Sequence, residues 1–366
     1  MSSLEFPTAA LRPGGVIGIL GGGQLARMLT IAAGRLGYHT HVFEPEEDCP
    51  AAPLTSARTT AGWDDMAALD AFAEAIDVAT YEFENVPTAA LDRIERRCAV
   101  LPGRHALAVS QDRVDEKQFL NDLGLPTASW AAVDDVPGLT TALAAIGAPA
   151  ILKTRRMGYD GKGQVRLKDD APAAAEAALA ELGGAPCILE GMVDFDSEIS
   201  VIVARAGDGS VSAYDPGTNE HRGGILRLTT VPCGQPERVV TDAVLMAAKI
   251  VTSLEYVGVM GVEMFVTKGG LMVNEIAPRV HNSGHWTQAG AAVCQFEQHV
   301  RAIAGLPLGD GQRHADVVME NLIGDDIERI PTLLAERDTQ IHLYGKSEVR
   351  PGRKMGHVNR VTRRRD

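Results

Sequence analysis

Short apolar runs alternate with amphipathic stretches from the start of the chain. Val16-Ile-Gly-Ile-Leu20 reads as a buried strand, Gly21-Gly22-Gly23 as the turn that ends it, and Gln24 to Ala33 as a helix. Gly37 and the strand His39 to Phe43, ending at Glu44, complete a βαβ opening. Val78 to Tyr81 is a further strand that runs into Glu82-Phe83-Glu84-Asn85, and Pro87 suits the first turn of the next helix. Ser110 to Leu120 has helical periodicity with Ser110 as N-cap; Leu123-Gly-Leu-Pro126 stops it and ends the first domain. Strands are predicted at Ala148 to Lys153, Val165 to Lys168, Cys187 to Val193 and Ile199 to Val203, with a polar glycine turn at Asn219 to Gly224. Val239 to Leu254 and Gln295 to Ile303 carry the 3.6-residue period of packing helices.

A hairpin is predicted where Val262 to Val266 and Leu271 to Val273 flank Thr267-Lys-Gly-Gly270. Its register is open. A loop of Lys268, Gly269 and Gly270 sets Glu263 across from Glu275, about 5 Å apart at Cβ. A two-residue loop sets Glu263 against Asn274 and turns Glu275 to the other face. In the first register two carboxylates repel unless a cation lies between them; the alternative is a solvated, charged rim. The polar run that follows adds Arg279, His281, Asn282, Ser283 and His285. A carboxylate beside an amide suits a hard cation, and Arg with two His suits an anionic substrate.

Composition narrows the field. At 366 residues the chain has room for two or three domains, and 45% apolar content with many Gly and Ala predicts a soluble α/β protein. A net charge of -13 argues against nucleic acid or an anionic membrane as partner, and makes any local cluster of basic residues informative. Cys49, Cys98, Cys187, Cys233 and Cys294 are scattered, which argues against a disulfide framework or zinc site and fits a reducing cytosol. Met1 to Gly15 lacks signal-peptide character, and no apolar run approaches the roughly 20 residues of a membrane span.

Further stretches carry candidate chemistry. Gly21-x-Gly23-x-x-Ala26 with Glu44 downstream nearly matches a dinucleotide fingerprint and supports a rival reading, a nicotinamide-dependent dehydrogenase. Thr154 to Gln164 holds Gly158, Gly161 and Gly163 among Lys153, Arg155, Arg156 and Lys162, a flap between two strands whose N–H groups can wrap phosphates, although it lacks the P-loop order. Arg350, Arg353 and Lys354 around the Pro351-Gly352 turn mark a second anion pocket, a closing clamp or a basic rim. Glu82 and Glu84 lie at a strand's C-terminal end, where open α/β sheets bind ligands. Glu198 can accept both hydroxyls of a ribose.

Taken in order, Gly23-Gln-Leu-x-Arg-Met28, Tyr81-Glu-Phe-Glu-Asn85, Gly158 to Gln164, Asn274 to Thr287 and Arg350 to His357 resemble the ATP-grasp superfamily, and within it the carboxyaminoimidazole ribonucleotide synthases, over nearly the whole chain. The resemblance implies an α/β ATP-grasp fold with an α+β lid: a Rossmann-like N-terminal domain (1–121), a small lid domain (122–195), and a larger C-terminal α+β domain with a terminal substrate clamp (196–366). It implies Lys153 on the nucleotide phosphates, Arg113 beside the nucleotide, and the flap Gly158, Tyr159, Asp160, Gly161, Lys162, Gly163 and Gln164 closing over them. Glu190, Gly191, Met192 and Val193 would meet adenine, Glu198 the ribose, and His221 would lie near the nucleotide. Glu263, Asn274 and Glu275 would hold Mg2+. Arg279, His281 and Asn282 would face aminoimidazole ribonucleotide, with Gln24, Glu82, Tyr159, Lys346 and Arg353 as further substrate contacts.

The implied reaction consumes ATP and bicarbonate through carboxyphosphate, with Asp160 orienting or deprotonating the substrate amine and Lys354 balancing charge on the intermediate. Formate-dependent glycinamide ribonucleotide transformylase is the alternative within the superfamily, with biotin carboxylase behind it; a nucleotide-binding regulator without turnover is the alternative outside enzymes. The resemblance also implies a cytoplasmic homodimer and transfer of the product to the mutase that follows it.

Overall fold

The computed structural model describes residues 10–158, 162–169 and 171–363. Tyr159, Asp160, Gly161 and the end of the basic tail fall outside them. The opening βαβ unit forms as its pattern predicts. β1 (Val16–Leu20), β2 (His39–Phe43), β3 (Ala57–Thr59), β4 (Val78–Tyr81) and β5 (Ala99–Val100) make a parallel sheet in the order β3-β2-β1-β4-β5. Both faces of its centre are covered, which is why β1 and β4 are almost wholly apolar, while the edge strand β3 (Ala-Arg-Thr) is largely exposed. Ile17, Ile19, Val42 and Val78 pack with α1 (Gln24–Arg35), and Leu20, Phe43, Ala79 and Tyr81 with α2 (Met66–Glu74) and α3 (Thr88–Ile94).

The single helix read from Ser110 is two helices. α4 (Arg104–Gln111) ends just before Asp112, and α5 (Arg113–Asp122) begins just after it. Ser110 Oγ donates back to the Leu107 carbonyl at 3.1 Å, while extended Asp112 caps α5 by accepting from the Val114 N–H at 3.0 Å. Aspartate caps as well as serine, and here it also meets Arg155 and Arg156, which decides the break.

β6 (Trp130–Val133), β7 (Ala150–Thr154), β8 (Gln164–Leu167) and β9 (Cys187–Gly191) form an antiparallel sheet in the order β6-β9-β7-β8. With α6 (Val136–Ile146) and α7 (Pro172–Glu181) it builds a core of its own around Val133, Leu143, Leu152, Leu179 and Leu189.

The remaining strands form one large sheet: β10 (Ser197–Arg205), β11 (Val211–Ala213), β12 (Gly217–Arg222), β13 (Ile225–Val231), β14 (Gly258–Thr267), β15 (Gly270–Ala277), β16 (Ala315–Ile323), β17 (Thr339–Leu343) and β18 (Lys354–Arg363). Its order is β15-β14-β10-β12-β13-β16-β18-β17, with β11 paired to β10. The polar stretch read as a turn before Ile225 is mostly strand: Asn219 to Arg222 belong to β12, and only Gly223 and Gly224, at φ 59° and 79°, make the turn. α8 (Glu237–Ser253) packs on β10, and α9 (Thr287–Gly290) and α10 (Gln295–Ile303) follow β15.

α10 joins this sheet to the first one. Phe296, Val300 and Ile303 share a core with α1 and β1. Buried His299 accepts from the Val259 N–H through Nδ1 at 3.1 Å, so its Nε2 carries the proton that faces Thr80 Oγ1 at 2.8 Å. Burial holds this imidazole neutral, its pKa pushed down to about 4.

The β14–β15 hairpin departs from both registers read in the sequence. Thr267 pairs with Gly270, so the loop is the two-residue Lys268-Gly269. Continued unbroken, that register would set Glu263 against Asn274. A β-bulge adds Asn274 to β15, and Glu263 faces Glu275 after all.

Candidate active site

A cavity of about 640 Å³ opens where the three sheets meet. Strand parity delivers its first cation. Ala150 and Leu152 go into the lid core, so Lys153 on the opposite face of β7 reaches the cavity. Its Nζ lies 2.9 Å from Glu190 Oε2, and Lys117 Nζ lies 3.7 Å from the same oxygen. Burial pushes the Glu190 carboxyl up, but Lys117 and Lys153 outweigh it and hold the carboxyl below its ordinary range. Glu190 Oε1 is buried without a hydrogen-bond partner among the described residues. Arg113, at the start of α5, bridges the lid and the hairpin: Nη1 is 3.3 Å from Glu275 Oε2 and Nη2 donates to the Gly158 carbonyl at 3.3 Å.

The acidic wall is the bulged hairpin. Glu263, Asn274 and Glu275 all line the cavity. Burial and the Glu275 charge push Glu263 up to about 8. Burial also acts on Glu275, but Arg113 and Lys153 outweigh it and hold that carboxyl low. His281 Nε2 lies 3.6 Å from Glu263 Oε1; burial, then Arg279 and Lys354, push the imidazole well below its usual range. On β10 and β12, Glu198 Oε2 meets His221 Nδ1 at 2.5 Å. Burial lowers the His221 pKa, yet the Glu198 hydrogen bond and the nearby Glu263 raise it overall. Such an all-oxygen set of two carboxylates and an amide fits a hard divalent cation.

The floor facing the first sheet is polar in a different way. Arg279 pairs with Glu84, and its Nη1 donates to the Val280 carbonyl at 3.1 Å. Asn282 exchanges two amide hydrogen bonds with Asn321, at 2.9 and 2.7 Å. Gln24 and Lys354 line the cavity, as do Lys162 and Gln164 of the flap. Glu82 lines it too, but its carboxylate accepts from the N–H groups of Gly23 and Ala26 at the start of α1. Glu44 accepts from the Gly22 N–H at 2.7 Å. The helix N-terminus that a dinucleotide would need is therefore occupied by the protein's own carboxylates, and the dehydrogenase reading of this turn fails.

Several expected contacts lie elsewhere. Gly163 borders a second cavity behind the flap. Gly191, Met192 and Val193 do not line the central cavity; the Gly191 and Met192 amides donate to Ser129 and Pro149 carbonyls. Lys346 Nζ donates to the Lys354 carbonyl at 2.8 Å, and Arg353 donates to the Glu348 carbonyl at 2.9 Å; neither lines the cavity. The basic cluster around Pro351 therefore splits, since Arg350 pairs outward with Glu348 at 3.0 Å and only Lys354 turns in.

Other residues at the site were not singled out for it in the sequence. Glu116 lines the cavity, and Lys117, only 1% exposed, lies beneath it. The one signal for Lys117 in the sequence is its i, i+4 spacing from Arg113, which puts the two on one helix face. Asn321 is fully buried in β16, and an amide next to Glu320 in a strand otherwise apolar from Val317 to Ile323 was its available signal.

Comparison with known proteins covers nearly the whole chain. Residues 15–111 match the ribonucleotide synthetase preATP-grasp domain, 118–296 the ATP-grasp domain, and 317–366 the phosphoribosylaminoimidazole carboxylase C-terminal domain. An N5-carboxyaminoimidazole ribonucleotide synthase of Brucella melitensis is 54% identical over 353 residues, 96% of this chain and 98% of its own. The ADP complex of an N5-carboxyaminoimidazole ribonucleotide synthetase superposes with a TM-score of 0.93 at 40% identity, covering 97% of this chain and 94% of that one. The Aspergillus clavatus synthase in complex with ADP and 5-aminoimidazole ribonucleotide does so with a TM-score of 0.89 at 30% identity, covering 96% and 94%.

Proposed function

The chain belongs to the N5-carboxyaminoimidazole ribonucleotide synthase family of the ATP-grasp superfamily, and from that premise we propose that it carboxylates 5-aminoimidazole ribonucleotide with ATP and bicarbonate. It is an ATP-dependent ligase of purine biosynthesis. The observation that carries the reading is the convergence of Lys153, Arg113 and Lys354 with the Glu263–Glu275 pair on one cavity. A bicarbonate oxygen attacks the γ-phosphorus, ADP leaves, and carboxyphosphate forms. The exocyclic amine of the ribonucleotide then takes the carboxyl carbon, and phosphate departs.

Lys153 and Arg113 place positive charge where the transferring phosphoryl group must lie. Glu263, Asn274 and Glu275 would hold Mg2+, which supplies charge neutralisation at the phosphates when bound. The raised pKa of Glu263 supports this assignment, because two facing carboxylates stay ionised together only with a cation between them. Glu198 and His221 form one hydrogen-bonded unit suited to a ribose. Arg279, with Asn282 clamped by Asn321, would orient the ribonucleotide, and neutral His281 would offer it an uncharged imidazole. Lys354 would balance the charge of carboxyphosphate. Closure of the flap from Gly158 to Gln164 would keep that intermediate from water.

The three sheets are read as the N-terminal, lid and C-terminal domains, working as a homodimer in the cytoplasm with transfer of the labile product to the mutase. Among the described residues no helix is long and apolar enough to cross a membrane, and all five cysteines are free thiols. The test is ADP release with aminoimidazole ribonucleotide and bicarbonate against glycinamide ribonucleotide and formate. Turnover with the first pair alone is expected; turnover with the second would move the chain to the transformylase reading.

A further inference from the structure

β15 is the edge strand of the large sheet, so its outward N–H and C=O groups need partners from elsewhere. In an unbroken antiparallel strand the N–H and C=O of one residue point the same way, and outward residues alternate. The Val273 N–H points outward, to the Pro126 carbonyl at 2.8 Å. Without a bulge the next outward groups would be the Val273 carbonyl and the Glu275 amide. Instead they are the Asn274 carbonyl and the Ile276 amide, one residue further on. α5 takes both: Lys117 Nζ donates to the Asn274 carbonyl at 2.5 Å, and Glu116 Oε1 accepts from the Ile276 N–H at 2.6 Å. Both side chains are buried, at 1% and 3% exposure.

We infer that Glu116 and Lys117 are positioning residues that select the bulged phase of β15 and so hold Glu275 face to face with Glu263. Two neighbouring side chains on one helix match two outward groups that exist in this spacing only when Asn274 is inserted. Shifted back by one residue, Glu275 would turn to the other face of the sheet and the cation site would lose a ligand. The inference rests on the proposed Mg2+ site. It makes α5 a register gauge for that site, although neither residue needs to touch metal or nucleotide to do it.

The experiment is isothermal titration of ADP into the full chain, once in saturating Mg2+ and once in EDTA. The ratio of the two affinities isolates the metal's contribution from any change in the nucleotide pocket. Glu116→Leu and Lys117→Met should each reduce that ratio by about 10–100-fold, the usual range for residues that orient metal ligands. Glu116→Gln, which still accepts from the Ile276 amide, should keep it. Glu263→Gln should abolish it and serves as the control. An unchanged ratio in Glu263→Gln overturns the metal assignment itself. A loss in Glu263→Gln with none in Glu116→Leu and Lys117→Met overturns only the register inference. So does a loss in Glu116→Gln equal to that in Glu116→Leu, because charge and not hydrogen bonding would then be responsible. Should the apolar variants fail to fold, Glu116→Gln and Lys117→Gln, whose amide can still donate, must both retain the ratio, and a loss in either overturns the inference.

Discussion

Two glycine-rich turns follow strands in this molecule, and in sequence both have the makings of an anion cradle. They are used in opposite ways. At Gly21 to Gly23 the cradle is filled from within: Glu82 takes the Gly23 and Ala26 amides, and Glu44 takes the Gly22 amide. At the flap that starts with Gly158 the surroundings are cationic, with Arg113 on the Gly158 carbonyl and Lys153 and Lys162 in the same cavity. Glycine allows backbone and ligand to approach closely; the charge brought by neighbouring strands decides what approaches.

The comparison breaks most sharply at Lys153. Lys153→Met should lower kcat/KM for ATP by about 100-fold, because losing one positively charged donor preorganised against the transferring phosphoryl group costs about 3 kcal/mol in the transition state. Steady-state kinetics read this directly, and a wild-type value would remove Lys153 from phosphate binding. At the other turn the expected loss is in stability. Glu82→Ala should destabilise the fold by about 1–3 kcal/mol, since two amides at the start of α1 lose their acceptor. Added sulfate, filling the emptied cradle, should then raise the variant's Tm more than the wild type's; an equal rise would mean that this turn holds no anion even when vacated.

A smaller effect sharpens the contrast through pH. Burial raises the Glu82 pKa despite its two amide donors, so its contribution to stability is full below the ordinary 4.5 and declines as pH rises past it. Burial also acts on Asp112 at the flap's base, but Arg155, the Val114 amide and Arg156 outweigh it and hold the carboxyl below the ordinary 3.8. Its contribution is present above that value and is lost as pH falls through the depressed pKa. Thermal melts against pH should therefore show Glu82→Gln gaining on the wild type as pH rises above 4.5. Asp112→Asn should fall behind above 3.8 and draw level in acid. Parallel curves would erase the difference between the two turns. Smallest of all, Arg156→Ala should change stability by less than about 0.5 kcal/mol, because the side chain is more than half exposed.

Legibility followed locality. Val16 to Phe43 could be read because a parallel βαβ unit writes its pattern in consecutive residues, and α10 was read to the residue, Gln295 to Ile303. The break at Asp112 was missed because Ser110 is an equally good local cap, and the arginines that favour Asp112 lie more than 40 residues away. Arg350, Arg353 and Lys354 read as one basic cluster, but which member turns inward depends on strand β18, and only Lys354 does. Lys117 could not be read as a buried residue, because nothing nearby in sequence announces that Asn274 and Glu190 will close over it.

The order of residues by itself determined the parts: an apolar strand ending in acids, a glycine flap set among lysines and arginines, and a hairpin carrying Glu263 and Glu275. It also determined the family, because those parts occur in one order along the whole chain. Only the tertiary structure decided that the two glutamates share a face. The two-residue loop alone predicts the opposite, since side chains alternate strictly along a strand. One inserted residue reverses that outcome, and the side chains that hold the insertion belong to a helix about 160 residues earlier in the chain.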